Sequence, residues 1–324
     1  MADMDDLDAI RRLGSHVPTE DPEAKEGARR RLRQRYDETQ EPSRDRPSGR
    51  RAARWVVAVA AVVAGVLVLL ALLPGGAPPS AAQTLRRLAT VASEQPRPAI
   101  PAGRYLYVRS QELRLVQGTD LGTGATWGAL VRVIREAWRA ADGSGRILTV
   151  AGAPRWLSAA DRTAWRRAGQ PELIAPRTDD RYPKDTFPGR DLSGLPLDPT
   201  RLRGVLERRS LEEGPPGQAG TFSIIGILLS EDRASPHLRA ALFQVAASLP
   251  DVQLIEDTRD PLGRSAVGVA LDVQGYRTVL LLDPASAALR AQEQYLPKEG
   301  GSELRTWWAY WPPRVVDSLQ APLT

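Results

Sequence analysis

The segment Trp55 to Leu73 constrains this chain more than any other. It reads WVVAVAAVVAGVLVLLALL, nineteen residues with no charge, amide, hydroxyl or proline. A helix of this length would be about 28 Å long, close to the thickness of the hydrocarbon core of a bilayer. A buried helix of a globular protein usually keeps a polar face, and this segment has none. Residues 55–73 are therefore predicted to form a transmembrane helix in contact with the lipid bilayer.

Arginines flank this segment unequally and predict its orientation. Residues 35–54 contain six arginines, whereas residues 74–93 contain two. Because positively charged flanks stay in the cytoplasm, residues 1–54 are predicted to form a cytoplasmic tail and residues 74–324 to lie outside the cell membrane. A cleaved signal peptide is the alternative, with Ser80-Ala81-Ala82 as its cleavage site. The long apolar run and the long segment before it favour an uncleaved single-pass anchor.

Composition excludes several classes of function. The chain has no cysteine, which excludes disulfides and thiol chemistry. Its net charge of +5 is not concentrated in any recognisable nucleic-acid-binding module. The two histidines, His16 and His237, fall on opposite sides of the predicted membrane, so they cannot form a zinc site together. His237 is interpreted as a surface histidine.

No catalytic arrangement stands out in the outer region. A Ser-His-Asp triad would need His237, and the chain has no nucleophile-elbow motif. The acidic pairs Glu212-Glu213 and Glu231-Asp232 fall on helix ends or loops, where charged residues usually face solvent. We therefore expect a protein that is not an enzyme and that carries no cofactor and no metal.

The tail, residues 1–54, leaves two interpretations open. Asp5 to Leu13 and a stretch beginning at Asp21-Pro22 are predicted to be short helices, with Pro22 preorganised for the first turn. One interpretation is a solvated tail whose arginines touch anionic headgroups. The other is a docking element for a cytoplasmic protein partner.

The outer region is predicted to begin with a linker and a helix, residues 74–102, followed by an α+β domain, residues 103–324. In the first half of that domain, strands are expected at 104–116, 130–140 and 146–150, from their aromatic and β-branched content. A helix follows Ser158, which starts a capping box. Residues 170–197, rich in proline and glycine, are interpreted as a long loop.

The second half has the clearest periodicity. Helices are predicted after Asp198-Pro199, over 221–229 and after Ser235-Pro236. Four strands joined by short turns indicate an antiparallel meander. The four strands are 252–258, 265–273, 276–283 and 289–295, and residues 305–311 are expected to add a fifth. In the second of them Ala266, Gly268 and Ala270 share one face. Such small residues favour close packing of a helix, with a ligand as the alternative.

An aromatic run near the C-terminus is the candidate ligand or interaction surface. It comprises Trp307, Trp308, Tyr310 and Trp311, and alternation along a strand would place these rings on both faces. Packing in the core is one interpretation. An exposed binding ridge or a contact with the membrane surface is the other. Together with Trp138 and Trp165, the run could line an apolar groove.

Seven segments resemble a family of actinobacterial single-pass membrane proteins encoded near extracytoplasmic-function sigma factors. They are spread over nearly the whole chain: 4–7, 103–110, 157–165, 236–242, 249–252, 260–264 and 282–286. The arginine-rich anchor adds to the likeness. The resemblance carries over no functional residues, because none are established for the family.

The resemblance implies an outer domain similar to the half-open β-barrels of lipoprotein carriers and envelope-stress regulators. The fold expected is thus α+β, with a curved antiparallel sheet and packed helices. The function implied is envelope sensing or sigma-factor-linked regulation, and the alternative is a lipid- or lipoprotein-binding module anchored at the outer face of the membrane. The chain lacks the histidine–cysteine zinc motif common in anti-sigma domains, which argues against direct sequestration of a sigma factor.

Overall fold

The fold of the chain is α+β. A computed structural model describes residues 79–96, 99–213, 217–298 and 301–320. The predicted tail and transmembrane helix, residues 1–54 and 55–73, lie outside these described residues. Among the described helices, none is long and apolar enough to cross a membrane.

Local sequence signals account for the helix starts. Ser80 accepts a hydrogen bond from the Gln83 amide and the Gln83 side chain accepts one from the Ser80 amide, which is a complete capping box. Ser158 and Ser235 cap two further helices, where their hydroxyl oxygens accept from the Asp161 and Leu238 amides. The helices are α1 (Ala81–Glu94), α2 (Ala159–Arg167), α3 (Pro199–Glu213), α4 (Gln218–Ser230) and α5 (Pro236–Ser248).

One open antiparallel sheet of eleven strands contains all the described strands. Its order is β5-β3-β2-β1-β10-β9-β8-β7-β6, with β11 paired to β1 and β4 paired to β2. The strands are β1 (Tyr105–Thr119), β2 (Thr126–Ala140), β3 (Gly145–Ala151), β4 (Arg155–Trp156), β5 (Arg177–Tyr182), β6 (Gln253–Arg259), β7 (Ser265–Val273), β8 (Tyr276–Leu282), β9 (Leu289–Lys298), β10 (Gly301–Tyr310) and β11 (Arg314–Val316). The predicted meander is confirmed as β6 to β10.

The chain divides into two compact units. The described part of the smaller unit comprises Val116–Leu130 and Arg155–Glu172, and therefore holds β4 and α2. The larger unit comprises the other described residues, including α1, α3, α4 and α5.

The main core of the larger unit lies between these four helices and one face of the sheet. α4 packs across β7, β8 and β9, and α1 packs along α5. Val269, Leu271 and Leu280 supply the sheet side of this core. α4 is mostly apolar and is buried on nearly all sides, which suits a helix with both sheet and helices around it.

The predicted packing of a helix on the small-residue face of β7 is wrong. The core under the helices contains Val269 and Leu271, which alternate with the small residues. Ala266 and Ala270 belong to a second cluster, together with Val279, Leu281 and other sheet residues. The close approach is made instead by Gly226 of α4, where a Cβ would lie 2.4 Å from Gln292 Oε1 and 2.6 Å from Leu280 Cδ2.

The long loop predicted for 170–197 is wrong in part, because it contains the edge strand β5. Its sequence, RTDDRY, has no apolar alternation, and most of its side chains are exposed. The strand forms because its backbone pairs with β3 from Tyr182 to Arg177. The Asp179 carboxylate also accepts two hydrogen bonds of 2.6 Å from Arg146 of β3. A strand that is held by backbone pairing and an ion pair leaves no hydrophobic periodicity in the sequence.

Candidate functional site

The aromatic run of β10 is divided between the two faces of the sheet. Trp307 belongs to the second cluster, which is on the face opposite to the helices, and is 8% exposed. Trp308 pairs in register with Gln292 and therefore shares the helix-facing side of the sheet. Tyr310 packs against the main core on that same side. The predicted alternation is thus confirmed for Trp307, Trp308 and Tyr310, whereas Trp311 follows the end of β10.

Trp311 lies beside two arginines. The Arg109 guanidinium is 4.7 Å and the Arg264 guanidinium 6.0 Å from the centroid of the Trp311 ring, both within cation–π range. Arg264 is held in place by Asp260, whose carboxylate accepts a hydrogen bond of 2.6 Å from Arg264 Nε. Arg264 also donates to the Tyr310 carbonyl at 2.8 Å, which links the β6–β7 turn to β10.

Glu293 lies in an apolar part of the sheet face opposite to the helices. In the sheet register its neighbours are Val279 on β8 and Trp307 on β10. Burial raises the pKa of the Glu293 carboxyl, although the hydroxyl of Tyr295, which donates to it at 2.7 Å, opposes the shift. Burial in this setting disfavours the charged form of the carboxyl relative to water.

A buried polar network connects α4 to the sheet on the helix side. The amide nitrogen of Gln294 donates to Ser223 Oγ at 2.8 Å, and that of Gln292 donates to the same oxygen at 3.3 Å. Gln292 is 2% exposed. Because buried polar groups cost free energy unless they are paired, this network fixes the position of α4 over β9 and β10.

Acidic and basic groups meet where α4 ends. Burial raises the pKa of Glu231, against the opposing effect of arginines that include Arg233. Asp232 forms an ion pair of 2.6 Å with Arg139 of β2. The Tyr310 hydroxyl hydrogen-bonds to Ser230, and burial raises the pKa of Tyr310 to about 12. These contacts join the end of α4 to β2 and β10.

Trp138 and Trp165, which were predicted to line a groove together with the aromatic run, contact other rings. Trp138 lies 5.2 Å from the ring of Tyr107, whose hydroxyl donates a hydrogen bond to Glu136. Burial and that bond raise the pKa of Tyr107. Trp165 lies 4.8 Å from Trp156 in the smaller unit. The common apolar groove stays a prediction.

His237 is exposed at the start of α5, as predicted. It borders a shallow cavity of about 410 Å³ between α1 and α5. Among the described residues, no three His, Cys, Asp or Glu side chains are grouped so that they could hold a metal ion.

Sequence reasoning missed the two arginines beside Trp311. Arg264 ends the turn Asp260 to Arg264, and Arg109 lies in the strand predicted for 104–116. Both fall in segments that resemble the family, 260–264 and 103–110, but the resemblance gives neither arginine a role. Neither position carries a signal for a cation–π contact, because sequence does not show which side chains a sheet brings together.

The chain defines an open antiparallel α+β fold with helices on one face of the sheet in its larger unit. No family model and no curated protein matches it. Among solved structures it is similar to a chain of the Pseudomonas aeruginosa MucA/MucB complex, with 15% sequence identity and a TM-score of 0.24. The match covers 72% of this chain and 56% of that chain.

Proposed function

We propose that this chain is a non-enzymatic, membrane-anchored extracytoplasmic protein that takes part in envelope sensing linked to sigma-factor regulation. The observation that carries the proposal is the uncharged segment 55–73, placed between an arginine-rich tail and a domain with its own core. The tail, residues 1–54, lies in the cytoplasm and docks on a protein partner there. The outer domain meets the envelope component that is sensed.

Contacts in the outer domain support a binding role over a catalytic one. Asp232 and Asp260 are each paired with an arginine, at 2.6 Å in both cases. Glu293 accepts a hydrogen bond from Tyr295 beside the buried second cluster. In this proposal these carboxylates stabilise the fold, and within the aromatic run ligand contact falls to the half-buried Trp308 and Trp311, because Trp307 is 8% exposed and Tyr310 packs against the main core.

The test is crosslinking in cells followed by recovery of the protein from native membranes. Full-length protein is compared with a variant lacking residues 1–40, which retains the arginines at 44, 46, 50, 51 and 54 that set the orientation of the anchor. We expect a sigma factor or another cytoplasmic transcription regulator to be recovered with the full-length protein alone. Protease accessibility of the outer domain provides the control that both proteins have the same orientation.

Two results would contradict this proposal. The first is recovery of the same cytoplasmic proteins with and without residues 1–40. The second is a protein that is released from membranes by alkaline carbonate, because an uncleaved transmembrane helix resists such extraction.

The second candidate function is a lipid- or lipoprotein-binding module whose tail serves only as part of the anchor. The second cluster favours it, since it places a buried apolar interior of Trp307, Ala309, Ala291 and Leu281 on the sheet face opposite to the helices, where an acyl chain could be enclosed. We then expect envelope lipids or lipoproteins to be recovered equally with and without residues 1–40. Trp307→Leu should reduce their recovery several-fold, and the exposed Tyr276→Leu should not.

A further inference from the structure

The hairpin between β1 and β2 in the smaller unit presents a fixed apolar tip. Leu121 at this tip is 96% exposed, more than any other large hydrophobic side chain of the described residues. Asp120 holds the turn: its carboxylate accepts from the Gly122 amide at 3.0 Å and from the Thr123 hydroxyl at 2.6 Å. The Gly124 amide donates to the Asp120 carbonyl at 2.7 Å. Leu121 is thus held outward by a rigid turn.

A row of tryptophans supports the hairpin from within the same unit. Trp127 lies against Gly118 of β1, where an added Cβ would come within 2.3 Å of its ring. Its centroid is 6.5 Å from that of Trp156, which in turn is 4.8 Å from that of Trp165 in α2. Trp156 and Trp165 are half-buried. Such amphipathic rings suit the boundary between water and lipid headgroups.

The exposed charges of this unit are mainly positive. The four arginines of its described part, Arg155, Arg162, Arg166 and Arg167, are all exposed. Two of the three acids in that part are buried: Asp120 in the hairpin, and Asp161, which accepts from the Gly128 amide at 3.1 Å. Glu172 is the one exposed acid among these described residues. Arg167 also lowers the pKa of Asp120, after the larger effects of Thr123 and Gly122, so it lies near the hairpin.

We propose that the hairpin tip Leu121 and the arginines of α2 form a contact site for an anionic membrane surface. Leu121 enters the headgroup region and the guanidinium groups bind lipid phosphates. Burial of one leucine is favourable but weak, and each arginine near an anionic surface strengthens binding by about five-fold. The contact adds to the proposed function by holding the outer domain at the membrane, and it rests on that function only for the presence of a bilayer nearby.

The test uses the full chain, in which an introduced cysteine is the single thiol that can be labelled. Leu121→Cys gives a single site for an environment-sensitive fluorophore, and Leu211→Cys on α3, where the leucine is 71% exposed beside Arg208, gives the matched control. Each labelled protein is placed in nanodiscs of phosphatidylcholine alone or mixed equally with phosphatidylglycerol. We expect a blue shift at position 121 in the anionic discs and no change at position 211.

A second variant tests the arginines. In the Leu121→Cys background, Arg162→Gln, Arg166→Gln and Arg167→Gln together should abolish the shift, as should high salt. Three results would overturn the proposal. They are an unchanged spectrum at position 121 in both lipids, an equal response at position 211, and a shift at position 121 that needs added membrane proteins. The last result would assign the tip to a protein partner.

A failure of the contact site can be distinguished from a failure of the proposed function. If the chain does not insert into discs, the proposed anchor fails, and the contact site is tested with preformed vesicles. Flotation with phosphatidylglycerol vesicles that is lost in Leu121→Ser would still support the site. Flotation that is unaffected by Leu121→Ser would overturn it.

Discussion

At Gly226 the helix α4 lies close against the sheet. A Cβ at this position would lie 2.4 Å from Gln292 Oε1 and 2.6 Å from Leu280 Cδ2, distances that force a shift. Overpacking of this kind costs about 1–3 kcal/mol, more than the gain in helix propensity from glycine to alanine. Gly226→Ala should therefore lower the free energy of unfolding, as measured by urea denaturation.

Gly204 of α3 provides the matched control for that substitution. The nearest atom to an added Cβ is Arg208 Nη1 at 3.8 Å, an ordinary contact. Gly204→Ala should thus raise the free energy of unfolding by up to about 1 kcal/mol. Equal effects at the two positions would show that α4 is not pressed against the sheet as described.

Glu293 gives a prediction for the dependence of stability on pH. Burial raises its folded-state pKa above the ordinary 4.5, so the neutral carboxyl is favoured in the folded protein. The stability that this provides is complete below the unfolded-state pKa and is lost as the pH rises through the folded-state pKa. Glu293→Gln cannot ionise and keeps an acceptor for Tyr295. It should be more stable than the natural protein at neutral pH.

This advantage should shrink as the pH is lowered towards 4.5, the ordinary pKa of the group. Urea unfolding midpoints measured over that range provide the test. Glu172→Gln, at an exposed position, serves as the control and should stay within about 0.5 kcal/mol of the natural protein. A constant difference between Glu293→Gln and the natural protein at all pH values would refute the assignment.

At the scale of elements, the β6–β7 turn depends on an ion pair. Asp260, whose side chain is fully buried, is paired with Arg264, which also donates to the carbonyl of Tyr310 on β10. Arg264→Ala leaves a buried carboxylate without its charged partner, so it should destabilise the protein by about 2–3 kcal/mol.

Arg203→Ala is the control, because it removes an ion pair of the same spacing, with Glu207, on the surface of α3. It should cost less than about 1 kcal/mol. Similar midpoints for the two variants in thermal unfolding would contradict this difference.

Elements with their own local signals could be predicted from the sequence. α1, α2 and α5 begin after serines that cap them, and the meander has short turns between strands with clear alternation. β5 could not be predicted, because it is held by backbone pairing with β3 and by the ion pair between Asp179 and Arg146, and neither leaves an apolar pattern in the sequence. The partner of the small face of β7 was predicted wrongly, because alternation shows which residues share a face but not what covers it.

At the scale of the whole molecule, the sequence by itself determined the α+β class, the start of most helices and the alternation of the rings in β10. These depend on contacts within a few residues, such as capping and period-two alternation. Only the tertiary structure decided that Trp311 lies beside Arg109 and Arg264, that Gly226 carries the close approach, and that three tryptophans of the smaller unit form a row. Each of these joins residues far apart in the chain, and strand pairing and helix packing bring them together. The local sequence does not encode such contacts.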